Sequence, residues 1–322
     1  MLNFGCHLPQ VDVGYKDIER VAKESERLGF DSVWLYDHMF PAIISYTNYS
    51  YPHEGSVTSP CYEIWTTLSA LATATTKIRL GSMTLVNPFR YPSVVAKMTS
   101  TLDNISNGRI EVGIGAGWFK GEFDAYGIPF IDAETRIAAL REGIQIIKKM
   151  WTEEKTTFKG KYYSVESAYC APKPVQKPHP PVWVGGSVPA VLKVAAEFAD
   201  GWNLAFYPSN TPAGYRKKAK AIEQYCKEVG RDPKQLRKSW MGEIVMGQTK
   251  ADVEQKVAAL KPAVMTFEDY KIARIIGTPD EVVAQIQSYI KEGSSYFMLR
   301  FPQVETIEPL KSFAEQVMAR LR

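Results

Sequence analysis

The stretch Arg109-Ile-Glu-Val-Gly-Ile-Gly-Ala-Gly-Trp118 decides how the rest of this chain is read. A short apolar run passes into glycines at Gly113, Gly115 and Gly117 and ends on a large aromatic. Side chains alternate along a strand, so glycines at every second position strip one face of it. A bare face lets a flat ligand or a phosphate approach the backbone; a glycine-softened barrel strand with no ligand is the other reading. The dinucleotide fingerprint G-x-G-x-x-G is excluded, because it needs a glycine where Trp118 stands.

Outward from this strand, short apolar runs alternate with amphipathic stretches along nearly the whole chain. Predicted strands cover 2–7, 32–37, 78–85, 110–115, 182–185, 201–204, 239–246 and 296–301. Predicted helices cover 17–28, 64–74, 92–105, 133–151, 189–198, 212–229, 250–260 with 279–291, and 309–321. Prolines at 189, 212 and 279 suit first helical turns, and Gly29, Gly230 and Gly293 suit stops. Alternating βα units imply a parallel sheet with right-handed crossovers. Eight of them imply closure into an α/β fold, a (β/α)8 TIM barrel over residues 1–322 as a single domain. Three irregular segments, 40–60, 152–181 with a hairpin at 156–163, and 262–276, are expected to be lid-like insertions at the C-terminal ends of the strands.

Hydrophobic residues make up 45% and charged residues 23%, ordinary for a globular chain. The net charge of +4 is dispersed, and the longest basic block is Arg216-Lys217-Lys218, which argues against nucleic acid as a partner. Cys6, Cys61, Cys170 and Cys226 show no C-x-x-C spacing and are expected to be free thiols in a reducing compartment. The chain opens on an apolar strand rather than a signal-peptide pattern, and no apolar run approaches the roughly 20 residues that span a bilayer. A cytoplasmic protein acting on a small molecule, with no membrane partner, is expected.

Barrels of this kind carry their active sites at the C-terminal ends of the strands. Those ends read His7, Asp37-His38, Met83-Thr84, Gly115-Ala116-Gly117-Trp118, Gly185-Gly186-Ser187, Asn203, Glu243 and Arg300. Gly185-Gly186-Ser187 leads into Val188-Pro189 and a helix. Backbone N–H groups at such a start, reached across two glycines, suit a phosphate, with Ser187 either donating to it or capping the helix. His38 is the candidate proton carrier, since imidazole exchanges protons near neutral pH. Asp37, its neighbour on a strand, points the other way and need not orient it. His7 either shares that role or makes a structural hydrogen bond, whereas His53 and His179 fall in loops as surface residues. Glu63 either favours a helix dipole or turns a catalytic carboxylate to the pocket. No H-x-x-x-H or carboxylate spacing supports a metal, and none is expected. Trp118, unlike Trp34, Trp183 and Tyr36, is a candidate for ligand stacking because it follows the glycines.

With these residues in place the chain resembles the luciferase-like flavin and deazaflavin oxidoreductases, particularly the coenzyme F420-dependent branches. The resemblance covers essentially the whole chain. It is carried by Leu80-Gly-Ser-Met-Thr-Leu-Val-Asn-Pro-Phe-Arg-Tyr-Pro92, by Gly113–Trp118 with Glu122 and Ala125-Tyr-Gly-Ile-Pro-Phe130, and by Gly185-Gly186-Ser187. Ala199-Asp-Gly-Trp-Asn203 and Gly277-Thr-Pro-Asp-Glu281 with 297–301 complete it. It implies an eight-stranded barrel, a homodimer, and a deazaflavin ring over the strand ends. It also implies a non-proline cis peptide at Met83-Thr84, cofactor contacts at Gly115–Gly117 and Gly185–Ser187, and Asp37 and His38 beside the ring. Coenzyme F420 is the implied cofactor, passing a hydride to or from a small organic substrate while His38 handles the proton. An FMN-dependent monooxygenase is the alternative, and a non-catalytic flavin-binding relative a third. The sugar-phosphate dehydrogenase branch has a glutamate where this chain has Trp118, so that activity is not expected here.

Overall fold

The computed structural model describes every residue except 1, 47–48, 53–55, 205–210, 264 and 273, with the side chains of 43–52 also outside the description. Strands β1 (Asn3–His7), β2 (Ser32–Leu35), β3 (Arg79–Ser82), β4 (Ile110–Gly115), β5 (Val182–Gly185), β6 (Gly201–Leu204), β7 (Arg237–Met246) and β8 (Tyr296–Arg300) pair in parallel, each with the next. β8 returns to β1, with Leu299 opposite Cys6, and closes the barrel. The α-helices among the described residues are α1 (Tyr15–Arg27), α2 (Ile64–Ala74), α3 (Pro92–Ile105), α4 (Lys120–Ala125), α5 (Ala133–Thr152), α6 (Pro189–Phe198), α7 (Pro212–Glu228), α8 (Lys250–Leu260), α9 (Phe267–Lys271), α10 (Pro279–Lys291), α11 (Glu308–Phe313) and α12 (Ala319–Leu321). Their starts follow local chemistry: Asp132 accepts from Thr135 N at 2.8 Å, and Pro189, Pro212 and Pro279 occupy first turns.

Two tryptophans plug the barrel interior. Trp34 and Trp183 meet edge to face at 5.9 Å, packed with Tyr296, Met83 and Met298. Glycines on neighbouring strands give them room: a methyl at Gly5 or Gly81 would overlap Trp34, and one at Gly201 would overlap Trp183. Each buried ring contributes about 5 kcal/mol by area. The strands' outer faces pack on the helices in a larger apolar cluster. Near the strand starts, Glu111 is buried against Arg79 (2.5 Å), Arg237 (3.2 Å) and the indole N–H of Trp183 (2.6 Å), so its charge is compensated.

The structure departs from the sequence reading in five places. The predicted strand 78–85 is interrupted: β3 ends at Ser82, and Leu85–Val86 then pairs with the end of β4. α4 was not anticipated, nor was the strand Arg274–Gly277, which pairs with Glu243–Met246 of β7. Segment 152–181 is not a lid at the strand C-terminal ends. It follows α5 and leads into β5, which puts it on the opposite face of the barrel. Its hairpin (Lys155–Lys159 with Ser164–Tyr169) is pinned by the Glu142 carboxylate, which accepts the N–H groups of Lys161, Tyr162 and Tyr163 at 2.8–3.0 Å. Asp103 and Asn104 of α3 tie its proline-rich end down through Gln176 and Lys173. Finally, His179 is a half-buried residue bonded to Pro180 O at 2.8 Å rather than a surface one; His53 lies outside the described residues.

Candidate active site

At the C-terminal ends of the strands lies a cavity of about 430 Å³. The glycine run of β4 reaches it by a route different from the one expected. At Gly113 the Ser82 hydroxyl accepts the backbone N–H (2.9 Å) and donates to the carbonyl (2.8 Å), replacing the ladder where β3 bulges. A methyl at Gly113 would overlap Ser82 O, and methyls at Gly115 or Gly185 would press on the Thr84 side chain. These glycines therefore make room for the neighbouring strand's bulge. The Met83-Thr84 peptide within it is cis, as the resemblance implied, and both residues line the cavity. Gly115, Ala116, Gly117 and Trp118 form the next wall, and Gly117 needs its glycine because φ is +80°.

Gly185, Gly186 and Ser187 line the cavity before α6. The N-cap of α6 is Val188, with no side-chain capping bond, so Ser187 is not the cap. Trp202 Nε1 donates to Gly186 O (2.8 Å) and Gly186 N to Asn203 O (3.2 Å), fixing the turn.

Asp37 and Glu63 do not line the cavity, so Glu63 takes the helix-end role of its two expected ones rather than the catalytic one, and Asp37 stands behind the wall rather than in it. Asp37 is buried and clamped by Arg90 at 2.7 and 3.1 Å and by Val86 N at 2.9 Å. Burial pushes its carboxyl up, against the opposing pull of the Arg90 guanidinium. Glu63 is the N-cap of α2, accepting Thr66 N at 2.8 Å, and its other oxygen takes Arg90 at 2.7 Å. Arg90 thus joins the two carboxylates into a support beneath the site.

His38 does line the cavity, and its partner is one the sequence reading assigned no role. Its Nδ1 lies 2.7 Å from Glu122 Oε2, and Glu122 Oε1 accepts Met39 N at 2.6 Å. Glu122 is buried at the start of α4. A carboxylate only accepts, so this bonding assigns the proton to Nδ1 and leaves Nε2 as the imidazole's reactive nitrogen. His7 and Tyr36 complete this end, with rings 5.2 Å apart. Gln10 holds Tyr36 in place, taking its N–H at 2.7 Å and donating to its carbonyl at 3.1 Å.

Arg136 of α5 was also missed. It lines the cavity, is only 6% exposed, and stacks on Phe130 at 4.0 Å. One arm donates to Ile131 O, while Nε has no hydrogen-bond partner among the described residues. Burial pulls its guanidinium below the usual arginine value, with Asp132 opposing. A buried cation with an unsatisfied N–H at a cavity wall is suited to an anionic ligand. The available signal was an arginine in phase with the apolar face of α5, one helical turn before Ala139 and Leu140. Among the described residues no His, Cys, Asp and Glu cluster could hold a metal, and no helix is long and apolar enough to cross a membrane.

The sequence pattern of the luciferase-like monooxygenase family matches residues 4–271. The chain belongs to that family. An F420-dependent glucose-6-phosphate dehydrogenase of Amycolatopsis mediterranei (strain U-32) is 28% identical, over 100% of this chain and 99% of the relative. An FMNH(2)-dependent dimethylsulfone monooxygenase of Pseudomonas putida is 29% identical, over 81% of this chain and 79% of its own. In fold, the chain is similar to an F420-dependent secondary alcohol dehydrogenase solved with an F420-acetone adduct. The TM-score is 0.83 at 20% identity, with 99% and 98% of the two chains covered. It is also similar to the coenzyme F420-dependent tetrahydromethanopterin reductase of Methanopyrus kandleri, with a TM-score of 0.82 at 22% identity, covering 100% and 99%. Such identities speak for the barrel alone.

Proposed function

We propose that this protein is a coenzyme F420-dependent oxidoreductase that moves a hydride between the deazaflavin and a small organic substrate. The observation that carries the reading is Arg136, buried with an unsatisfied Nε in the same cavity as the His38–Glu122 pair. The relatives named as F420-dependent, matched over the whole chain, add to it.

Arg136, the backbone at Gly186 and Ser187, and the start of α6 would hold the cofactor's phosphate. Each charge-assisted hydrogen bond there contributes about 1.5–3 kcal/mol. Met83, Thr84 and Gly115–Gly117 present wall and backbone to a flat ring. Bound there, the deazaflavin supplies the hydride chemistry, and the protein supplies positioning and proton handling. His38 holds or accepts the substrate proton at Nε2, while Glu122 keeps Nδ1–H in place and compensates the imidazolium. Glu63 and Asp37 support the site through Arg90 and carry no proton in this account.

An FMN-dependent monooxygenase is the second reading, favoured by the Pseudomonas putida relative and by a phosphate site that serves either cofactor. Titration of the protein with F420 and with FMN, followed by quenching of cofactor fluorescence, separates them. Tighter binding of F420 supports the first reading; a preference for FMN supports the second; binding of neither removes both.

We also infer a cytoplasmic homodimer. The exposed positions of α2 and α3 are Thr66, Ser69, Thr73, Val94, Lys97, Thr101, Asn104 and Ile105, a surface with a single charge that suits a partner copy. The four free cysteines, three of them buried, suit a reducing compartment. Sedimentation at micromolar concentration tests the dimer.

A further inference from the structure

The cavity has one cation and an aromatic rim, and the two together restrict its substrate. Among the described residues, Arg136 is the only lysine or arginine lining the cavity. The segments that follow β2 and β6, residues 40–60 and 205–210, contain neither lysine nor arginine. Arg274 and Arg300 do not line the cavity, and both face the half-buried Glu243, at 2.8 and 3.9 Å. Once a cofactor phosphate takes Arg136, the described lining residues offer a second anion no lysine or arginine, and the His38 imidazole is engaged by Glu122 and by the substrate proton. Burying an unpaired anion there is costly, so a charged substrate is disfavoured.

The rim supplies the positive half of the argument. Trp118 lines the cavity yet is 47% exposed, an unusual state for the largest apolar side chain. Its ring stands edge-on to His38, with centroids 5.9 Å apart, and leans on Phe119 at 5.4 Å. Behind Trp118, outside the cavity lining, Phe40 packs 5.7 Å from Phe119 and stacks on the exposed Tyr126 at 6.4 Å. Met83, Met241 and Tyr36 add apolar, polarisable surface inside. A flat π-system set against Trp118 would lie next to the proton-handling imidazole.

We propose that the substrate is a neutral, planar, conjugated molecule, such as an aromatic ketone, aldehyde or the matching alcohol, packed against Trp118. The inference rests on the reading in which the cofactor phosphate occupies Arg136. Calorimetric titration of the protein loaded with oxidised F420 tests it, because no turnover occurs between an oxidised cofactor and a ketone. The probes are acetophenone, its saturated counterpart cyclohexyl methyl ketone, benzoate and glucose 6-phosphate. Acetophenone should bind most tightly; Trp118→Ala should weaken it about threefold to tenfold and erase the preference over the saturated ketone, while Trp118→Phe keeps most of it. Equal binding of the two ketones by the unmodified protein, or tighter binding of either anion, overturns the proposal. So does a Trp118→Ala protein that keeps the ketone preference while losing F420 affinity or its oligomeric state, since Trp118 would then serve the cofactor or a partner copy. Repeating the titration without cofactor separates the two readings: a protein that binds acetophenone through Trp118 but never binds F420 keeps the aromatic substrate site and loses the cofactor assignment together with the argument against anions.

Discussion

The imidazole Nδ1 of His38 and the carboxylate Oε2 of Glu122 lie 2.7 Å apart, joining the end of the second barrel strand to a short helix after the fourth. The pair fixes which nitrogen is left for the substrate. Replacing His38 by alanine should lower kcat by about 10²–10⁴-fold with cofactor binding nearly unchanged. Glu122→Gln keeps a hydrogen-bonding amide but removes the charge that supports an imidazolium, and should cost roughly tenfold in kcat. Glu122→Ala should also destabilise the fold by about 1–3 kcal/mol, because Met39 N loses its acceptor. Steady-state kinetics and urea unfolding of the three variants check these outcomes. Unchanged kcat in Glu122→Gln would remove Glu122 from the mechanism.

Arg136 should discriminate between cofactors with and without a phosphate. Arg136→Gln is expected to weaken binding of the phosphorylated cofactor by about ten- to a hundredfold, the equivalent of one or two charge-assisted hydrogen bonds. Binding of the same ring lacking its phosphate should change little. Fluorescence titration of both compounds against both proteins reads the difference, and equal losses for the two would place the phosphate elsewhere.

Gly113→Ala should be among the most disruptive substitutions of a single methyl in this chain. The added carbon would run into Ser82 O, a backbone atom that cannot step aside without moving the bulge. A loss of about 3 kcal/mol is expected. Gly230→Ala has open space but a φ of +73°, and should cost only about 1–2 kcal/mol. Equilibrium denaturation of the two variants provides the comparison.

These contrasts show what was legible in the sequence. Hydrophobic period and punctuation placed β4, β5 and β6 at their observed bounds, and likewise α2, α3, α6, α8 and α10, because each is set by local pattern. The bulge after Ser82 escaped that reading: an apolar run shows no sign that its neighbour's glycines are spaced to receive it. The cavity wall was legible at most strand ends, as with His38, Thr84, Gly115–Trp118 and Gly185–Ser187, while Tyr36, read as core, also lines it. Asp37 was misplaced and Glu63 left between two roles because their polarity serves a guanidinium clamp and a helix cap, uses that look the same in sequence as facing a pocket. Glu122 and Arg136 depend on contacts made by the folded chain; the first lies 84 residues from its partner.

Acid should expose the electrostatics of the β7 end. Burial alone would raise the Glu243 carboxyl, but the Arg274 and Arg300 guanidinium groups and the Tyr270 hydroxyl hold it below the usual glutamate range. A depressed folded-state pKa means that its stabilisation is present in full above the unfolded value of about 4.3 and is lost as pH falls through the lower folded value. The stability difference between the unmodified protein and Glu243→Gln should therefore be larger at about pH 7 than at about pH 3, as read from urea unfolding. A difference that grows towards acid would contradict this assignment.

The most direct measurement of the central claim is strictly anaerobic incubation of the protein with reduced F420 and a panel of neutral carbonyl compounds, following return of the oxidised cofactor's absorbance. The account predicts protein-dependent reoxidation without oxygen for at least one carbonyl compound, abolished in His38→Ala while F420 remains bound. No reoxidation by any carbonyl, together with oxygen uptake in the presence of reduced FMN, would contradict it and make this barrel an oxygen-using flavin enzyme.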